Sequence, residues 1–146
     1  MQSFHETTAE AFHSAVSHAC QQRKNGRLVG ETVYVYTPEQ YREIRCFLSP
    51  DNLTGYGIKR DGDLVSVFNV GAKGAGQDAV RDAILNGATM LDAFDEGGYL
   101  PSLYASLGFV ESYREPWNPA YAPAGWTGGT PDVVYMHLSP TARKAA

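Results

Sequence analysis

The stretch from Asp63 to Phe109 constrains this chain more than any other. Leu64 to Val70 is a short apolar run rich in β-branched residues and reads as a strand. Asp61-Gly62 before it is a hairpin turn signal, joining it to a preceding strand over Leu53 to Lys59. Gly71-Ala72-Lys73-Gly74-Ala75-Gly76 follows, a loop whose glycines let backbone N–H groups come close to a ligand. A helix then carries Val80, Ala83, Ile84 and Gly87 at helical spacing, and a second strand runs from Thr89 to Phe94. After Gly97-Gly98 a short helix places Leu100, Leu103, Tyr104 and Leu107 on one side. Gly108 ends it in the left-handed conformation.

Strand, glycine loop, helix and strand make a βαβ unit, whose crossover is expected to be right-handed and to leave the two strands parallel. Leu64 to Val70 has no uniformly polar face, which predicts a central strand covered on both sides. The helix begins where the glycines stop. Its free N–H groups and positive dipole end favour a phosphate, and Lys73 adds a cation at the same place. The loop is therefore expected to hold a phosphorylated cofactor.

The chain before this stretch reads as two helices and a strand. Glu6 to Gln22 is amphipathic, with Ala9, Phe12, Val16, Ala19 and Cys20 on one stripe, Thr7 or Thr8 as cap and Asn25-Gly26 as stop. Gly30 to Tyr36 alternates like a strand. Thr37-Pro38-Glu39-Gln40 is a helix start with a capping box, and the helix is expected to carry Tyr41, Ile44, Cys46 and Phe47 as far as Ser49-Pro50.

After Gly108, Phe109 to Glu115 and Asp132 to Leu138 read as strands. Between them, residues 116–131 hold Pro116, Pro119, Pro123 and Pro131 among Trp117, Tyr121 and Trp126. A loop this long is either a binding lid or an aromatic-anchored Ω-loop. The tail, 139–146, is polar and expected to fray.

A length of 146 residues predicts a single domain, 1–146, with N-terminal elements over 1–50 and a core over 53–138. The net charge of −4, with no basic block, argues against a broad nucleic-acid face. Cys20 and Cys46 read as free thiols. His13 and His18 lack partners at ligand spacing, so no metal is expected. No stretch is apolar enough to span a membrane, and MQSFHETTAEAFHSAV lacks the pattern of a signal peptide, so a cytoplasmic location is expected.

Two motifs one strand apart carry a resemblance. Gly71-Ala72-Lys73-Gly74-Ala75-Gly76 is similar to the pyrophosphate loop Gln/Arg-x-x-Gly-x-Gly/Ala, with Gly71 in place of the leading Gln/Arg. Leu103-Tyr104-Ala105-Ser106-Leu107-Gly108-Phe109 resembles the Leu-Tyr-x-x-x-Gly-Phe pattern. Together they resemble the GNAT superfamily of acyl-CoA-dependent N-acyltransferases. The resemblance covers about Leu53 to Leu138 and implies an α/β (α+β) fold with a mixed, central, splayed β-sheet flanked by helices.

The resemblance also implies a function: transfer of an acetyl group from acetyl-CoA to an amine by direct attack on the thioester. Pantetheine would pair with the backbone of Phe68, Asn69 and Val70. The N–H groups of Lys73, Gly74, Ala75, Gly76 and Gln77 would hold the pyrophosphate. Tyr104 matches the position that protonates the departing thiolate. The general base is open among Glu31, Asp92, Asp95 and Glu96, the last two standing just after the second strand where the family often has an Asn. Trp117, Tyr121 and Trp126 are suited to contact an acceptor, a small molecule or protein amine with a nucleobase still open. The resemblance allows a homodimer. Two other readings stand beside it. One is a non-catalytic module that binds acyl-CoA or a partner. The other rests on Gly74-Ala-Gly-Gln-Asp-Ala79 with Asp92, a dinucleotide fingerprint that needs a doubly wound parallel sheet.

Overall fold

The computed structural model describes residues 3–123 and 125–145, which pack as two compact units, Met1–Ala88 and Thr89–Ala146. The first runs β1 (His5–Thr7), α1 (Ala9–Cys20), a hairpin of β2 (Arg23–Lys24) and β3 (Arg27–Leu28), α2 (Pro38–Tyr41), β4 (Arg45–Leu48), β5 (Thr54–Ile58), β6 (Leu64–Asn69) and α3 (Ala75–Leu85). Four of its strands form an antiparallel sheet ordered β1-β4-β5-β6.

The first helix forms because its cap and its apolar stripe agree. Thr8 Oγ1 accepts the Ala11 N–H at 3.1 Å. Ala9, Phe12, Val16 and Ala19 are buried in one cluster with Tyr41, Cys46, Leu48 and Phe68. The Phe12 ring meets Tyr41 and Phe68 edge-on, at 5.0 and 5.8 Å between centroids. On the opposite face of β4, Phe47 stacks on Tyr56 at 4.8 Å. The Tyr56 hydroxyl donates to Asp82 of α3 at 2.5 Å and accepts from Asn86 Nδ2 at 3.0 Å. Arg45 donates to the Asn86 carbonyl at 2.8 Å, closing the end of α3 with a cation.

Several expectations for this unit are corrected. The helix from Pro38 keeps its capping box, with Thr37 and Gln40 bonding reciprocally, but ends after Tyr41. Arg45–Leu48 is a strand buried on both faces, and a short apolar run there carries no period to separate strand from helix. Gly30 to Tyr36 is not a strand: Val29–Glu31 is a 3-10 turn and no ladder follows. Side chains take its backbone groups instead, as Tyr41 does for the Tyr36 N–H and Ser66 for the Tyr34 carbonyl. Asn25 and Gly26, both at positive φ, turn the hairpin of β2 and β3 and do not merely stop a helix. The strand from Leu64 alternates buried and half-buried residues and lies last in the sheet order, not at its centre.

That last strand is also kinked. Gly55 pairs with Phe68 and Gly57 with Val65, so Tyr56 alone opposes Ser66 and Val67. This is a β-bulge, and Ser66 sits in it at φ 54°. Ser66 Oγ donates to the Tyr34 carbonyl at 2.7 Å. The 2.8 Å bond between the two hydroxyls is therefore donated by Tyr41, whose oxygen accepts the Tyr36 N–H at 3.2 Å. One continuous hydrogen-bonded chain ties the irregular segment to the bulge.

The second unit contains β7 (Met90–Phe94), α4 (Tyr99–Ser106), β8 (Phe109–Glu115), β9 (Val133–Leu138) and α5 (Pro140–Ala145). Its three strands form an antiparallel sheet ordered β7-β9-β8. Leu91, Phe109, Val134, Met136 and Leu138 are its buried core. Gly108 adopts φ 109°, and a Cβ there would lie 2.5 Å from the Ala142 Cβ of α5. Pro140–Ala145 of the tail is helical: Ser139 Oγ accepts the Ala142 N–H at 3.1 Å and Pro140 opens the first turn.

All ladders among the described residues are antiparallel, and β6 and β7 share none. The doubly wound parallel sheet that the dinucleotide reading needs is not formed among the described residues. Among the described residues no helix is long and apolar enough to cross a membrane.

Tyr41→Phe leaves the half-buried Tyr36 N–H and the Ser66 hydroxyl each short of a partner. Urea denaturation should show a loss of about 1–3 kcal/mol. An unchanged midpoint would mean that this chain of bonds does not hold the segment.

Candidate functional site

The glycine loop is braced by one side chain. Asn69, the last residue of β6, accepts the Thr54 hydroxyl at 2.8 Å and the Gly71 N–H at 2.9 Å through Oδ1. Its Nδ2 donates to the Ala72 carbonyl at 3.0 Å. Gly74 follows at φ 88° as the residue before α3, with no atom within 4 Å of where a Cβ would stand. Ala75 N–H bonds back to the Ala72 carbonyl, and Asp78 N–H to that of Gly74. Among the described residues no backbone carbonyl takes the N–H groups of Lys73, Gly74, Gly76 and Gln77. These donors sit at the positive end of an 11-residue helix, and Lys73 lies in the same loop. The set suits a phosphate-bearing ligand such as the diphosphate of a coenzyme A.

The residues before the loop divide. Val70 donates its N–H to the Leu53 carbonyl at 2.8 Å, so that group is turned into the sheet. Phe68 is buried in the core against Phe12. Alternation turns the backbone of Asn69 toward the open edge of β6, where Lys24 Nζ donates to its carbonyl at 3.1 Å. Of the three residues expected to pair with an extended ligand, Asn69 has the outward groups. The bonds of Asn69 to Gly71 and Ala72 are local, as an Asn before a turn suggests, but its bond to Thr54 and the approach of Lys24 had no signal in the sequence, because they join residues 15 and 45 apart.

In the second unit, Tyr104 lies on α4, half-buried and edge-on to Phe109 at 6.1 Å. Burial, reinforced by the negative charge of Asp92, pushes its phenol up to about 12. It is protonated throughout the neutral range. Asp95 is committed to structure at both oxygens: Oδ1 accepts the Gly98 N–H at 2.8 Å and Oδ2 accepts from Arg114 at 3.0 Å. The same guanidinium reaches Glu111 at 2.7 Å and Asp132 at 3.2 Å. Its hydrogen bond to Glu111 holds that carboxyl below the usual range. Glu96 lies beside the aromatic loop, within contact of where a Gly128 Cβ would stand. Glu31, in the first unit, is buried and paired with Arg27 at 3.1 Å.

The loop at 116–131 is anchored by its own aromatics. Trp117 and Trp126 stack at 5.2 Å, and Phe94 of β7 meets them at 5.9 and 4.8 Å. Trp126 Nε1 donates to the Gly129 carbonyl at 2.7 Å. Pro119–Tyr121 forms a 3-10 turn at the tip, and Tyr121 is 81% exposed. The two tryptophans anchor the loop, and Tyr121 stands exposed on it.

No family model and no curated protein sequence matches the chain. Solved structures do. The ribosomal-protein-S18-alanine N-acetyltransferase of Escherichia coli superposes with a TM-score of 0.64 at 15% identity, covering 94% of this chain and 93% of that one. A spermidine/spermine N-acetyltransferase from Vibrio cholerae gives 0.63 at 13%, covering 98% and 96%. A Bacillus subtilis acetyltransferase in complex with CoA gives 0.61 at 17%, covering 95% and 99%. The architecture is that of a mixed α/β protein with antiparallel sheet flanked by helices. The chain has the GNAT acetyltransferase fold, as its two motifs imply.

Burial raises the phenols of Tyr41, Tyr56, Tyr104 and Tyr135 above the usual tyrosine range. A folded-state value above the unfolded one gives stability that is whole below about pH 10 and is lost as pH rises through the folded value. Denaturation midpoints should stay level toward pH 10 and fall beyond it, with a shallower fall in Tyr104→Phe. A slope unaffected by that substitution would count against the burial of this phenol.

Proposed function

We propose that the protein is an acetyl-CoA-dependent N-acetyltransferase. The observation that carries this is the Asn69-braced loop, with its unclaimed N–H groups at the start of α3, following a strand with an open edge. Bound acetyl-CoA supplies the acyl group as a thioester. In the reaction one N–C bond forms, one C–S bond breaks, and one proton passes from nitrogen to sulfur. Lys73 to Gln77 hold the pyrophosphate, and the outward backbone of Asn69 pairs with the pantetheine arm.

Tyr104 acts as the hydrogen-bond donor to the departing sulfur. A phenol near 12 is a weaker acid than a thiol, whose pKa is about 8.5. Its part is therefore to stabilise the sulfur by a hydrogen bond, and the amine's proton completes the transfer. Glu96 is the proposed base, since it stands beside the 116–131 loop that would meet the acceptor. The acceptor is an amine of a small molecule or protein, contacted by the tip of the 116–131 loop. The acceptors in the names of two structural neighbours, a ribosomal protein alanine and spermidine/spermine, support that class. A cytoplasmic setting agrees with two free cysteines.

Calorimetry with acetyl-CoA should show binding, and a panel of polyamines, aminated metabolites and peptides should release free CoA thiol. Tyr104→Phe should lower turnover by about 10²-fold with acetyl-CoA affinity unchanged. Binding without turnover across the panel would favour a non-catalytic acyl-CoA module. No binding would overturn the assignment.

A further inference from the structure

The hairpin of β2 and β3 brings a cation to the edge where a ligand would pair. Its turn reads Arg23-Lys24-Asn25-Gly26-Arg27, three cations in five residues. Lys24 pairs with Arg27 across the hairpin, and Asn25 and Gly26 at positive φ fix the turn. From there the exposed Lys24 ammonium reaches the Asn69 carbonyl at 3.1 Å. Asn69 is the last residue of β6, and its side chain holds Gly71 and Ala72. The lysine therefore sits on the outward acceptor group nearest the loop.

We propose that Lys24 is a specificity-determining residue that selects phosphorylated carriers over phosphate-free ones. The proposal rests on the acetyl-CoA reading above. In the free protein the ammonium holds the carbonyl that an amide N–H of a pantetheine arm takes when it adds to β6. A ligand must displace it. Hydrogen bonds from a charged donor are stronger than those between neutral groups. A bare pantetheine arm thus exchanges a stronger bond for a weaker one and leaves the lysine without its acceptor. A ligand that carries phosphates into the adjacent loop gives the same ammonium an anionic partner, and the exchange becomes favourable. Lys24 is a closed latch to the first ligand and a binding group to the second.

Titration calorimetry on the full chain tests this with two probes, acetyl-CoA and S-acetylpantetheine, against wild type and Lys24→Met. The variant should bind acetyl-CoA about fivefold more weakly and S-acetylpantetheine several-fold more tightly, from the relative strengths of charged and neutral bonds. Lys24→Arg keeps the charge and should keep the preference for acetyl-CoA. Equal shifts for both probes, no shift for either, or S-acetylpantetheine undetectable in both proteins would overturn the proposal. A wild-type protein that binds neither probe would instead remove the acetyl-CoA reading, and this inference with it. Melting temperatures of the variants report that folding is intact.

Discussion

The site in the first unit depends on the Asn69 side chain. It joins the end of a strand, the turn after it and the neighbouring strand through three hydrogen bonds of 2.8 to 3.0 Å. A side-chain amide offers an acceptor and a donor on one rigid plane, so each bond fixes the direction of the others. With Gly71 and Ala72 held, the chain enters α3 with N–H groups that, among the described residues, no backbone carbonyl takes. The loop is preorganised, and a ligand need not order it.

The bulge supplies a second constraint. Ser66 occupies a conformation that side chains other than those of Asn, Asp and Gly adopt rarely. It is held there because its hydroxyl links Tyr41 to the Tyr34 carbonyl. Strain of this kind persists where surrounding bonds over-determine the backbone. The bulge lies three residues before Asn69, so the edge of β6 changes direction just before the braced loop.

The sequence made local chemistry legible and long-range partners illegible. Thr8, the Thr37–Gln40 box and Gly108 each act as read, because a cap or a left-handed glycine depends on a few adjacent residues. The strand at Phe109–Glu115 was read at its full length. Arg45–Leu48 was not, because burial on both faces removes the alternation that marks a strand. Gly30 to Tyr36 alternates like a strand but finds no neighbour, and pairing is decided by the whole fold. Ser139-Pro140 repeats the cap-then-proline pattern of Thr37-Pro38, so the final helix was readable by a rule already in use. At the site, the loop and Tyr104 stood out as motifs. The bond of Asn69 to Thr54, the approach of Lys24 and the engagement of Asp95 by Arg114 required the folded chain.

The aromatic loop has a consequence for how such a protein diversifies. Phe94, Trp117 and Trp126 lock the base to a strand, while Tyr121 rides an exposed turn. Residues at that crest can be exchanged or inserted with little penalty to the underlying sheet. The exposed crest can therefore vary in sequence at little cost, while a change at the stacked base would disturb the packing that holds it to the strand.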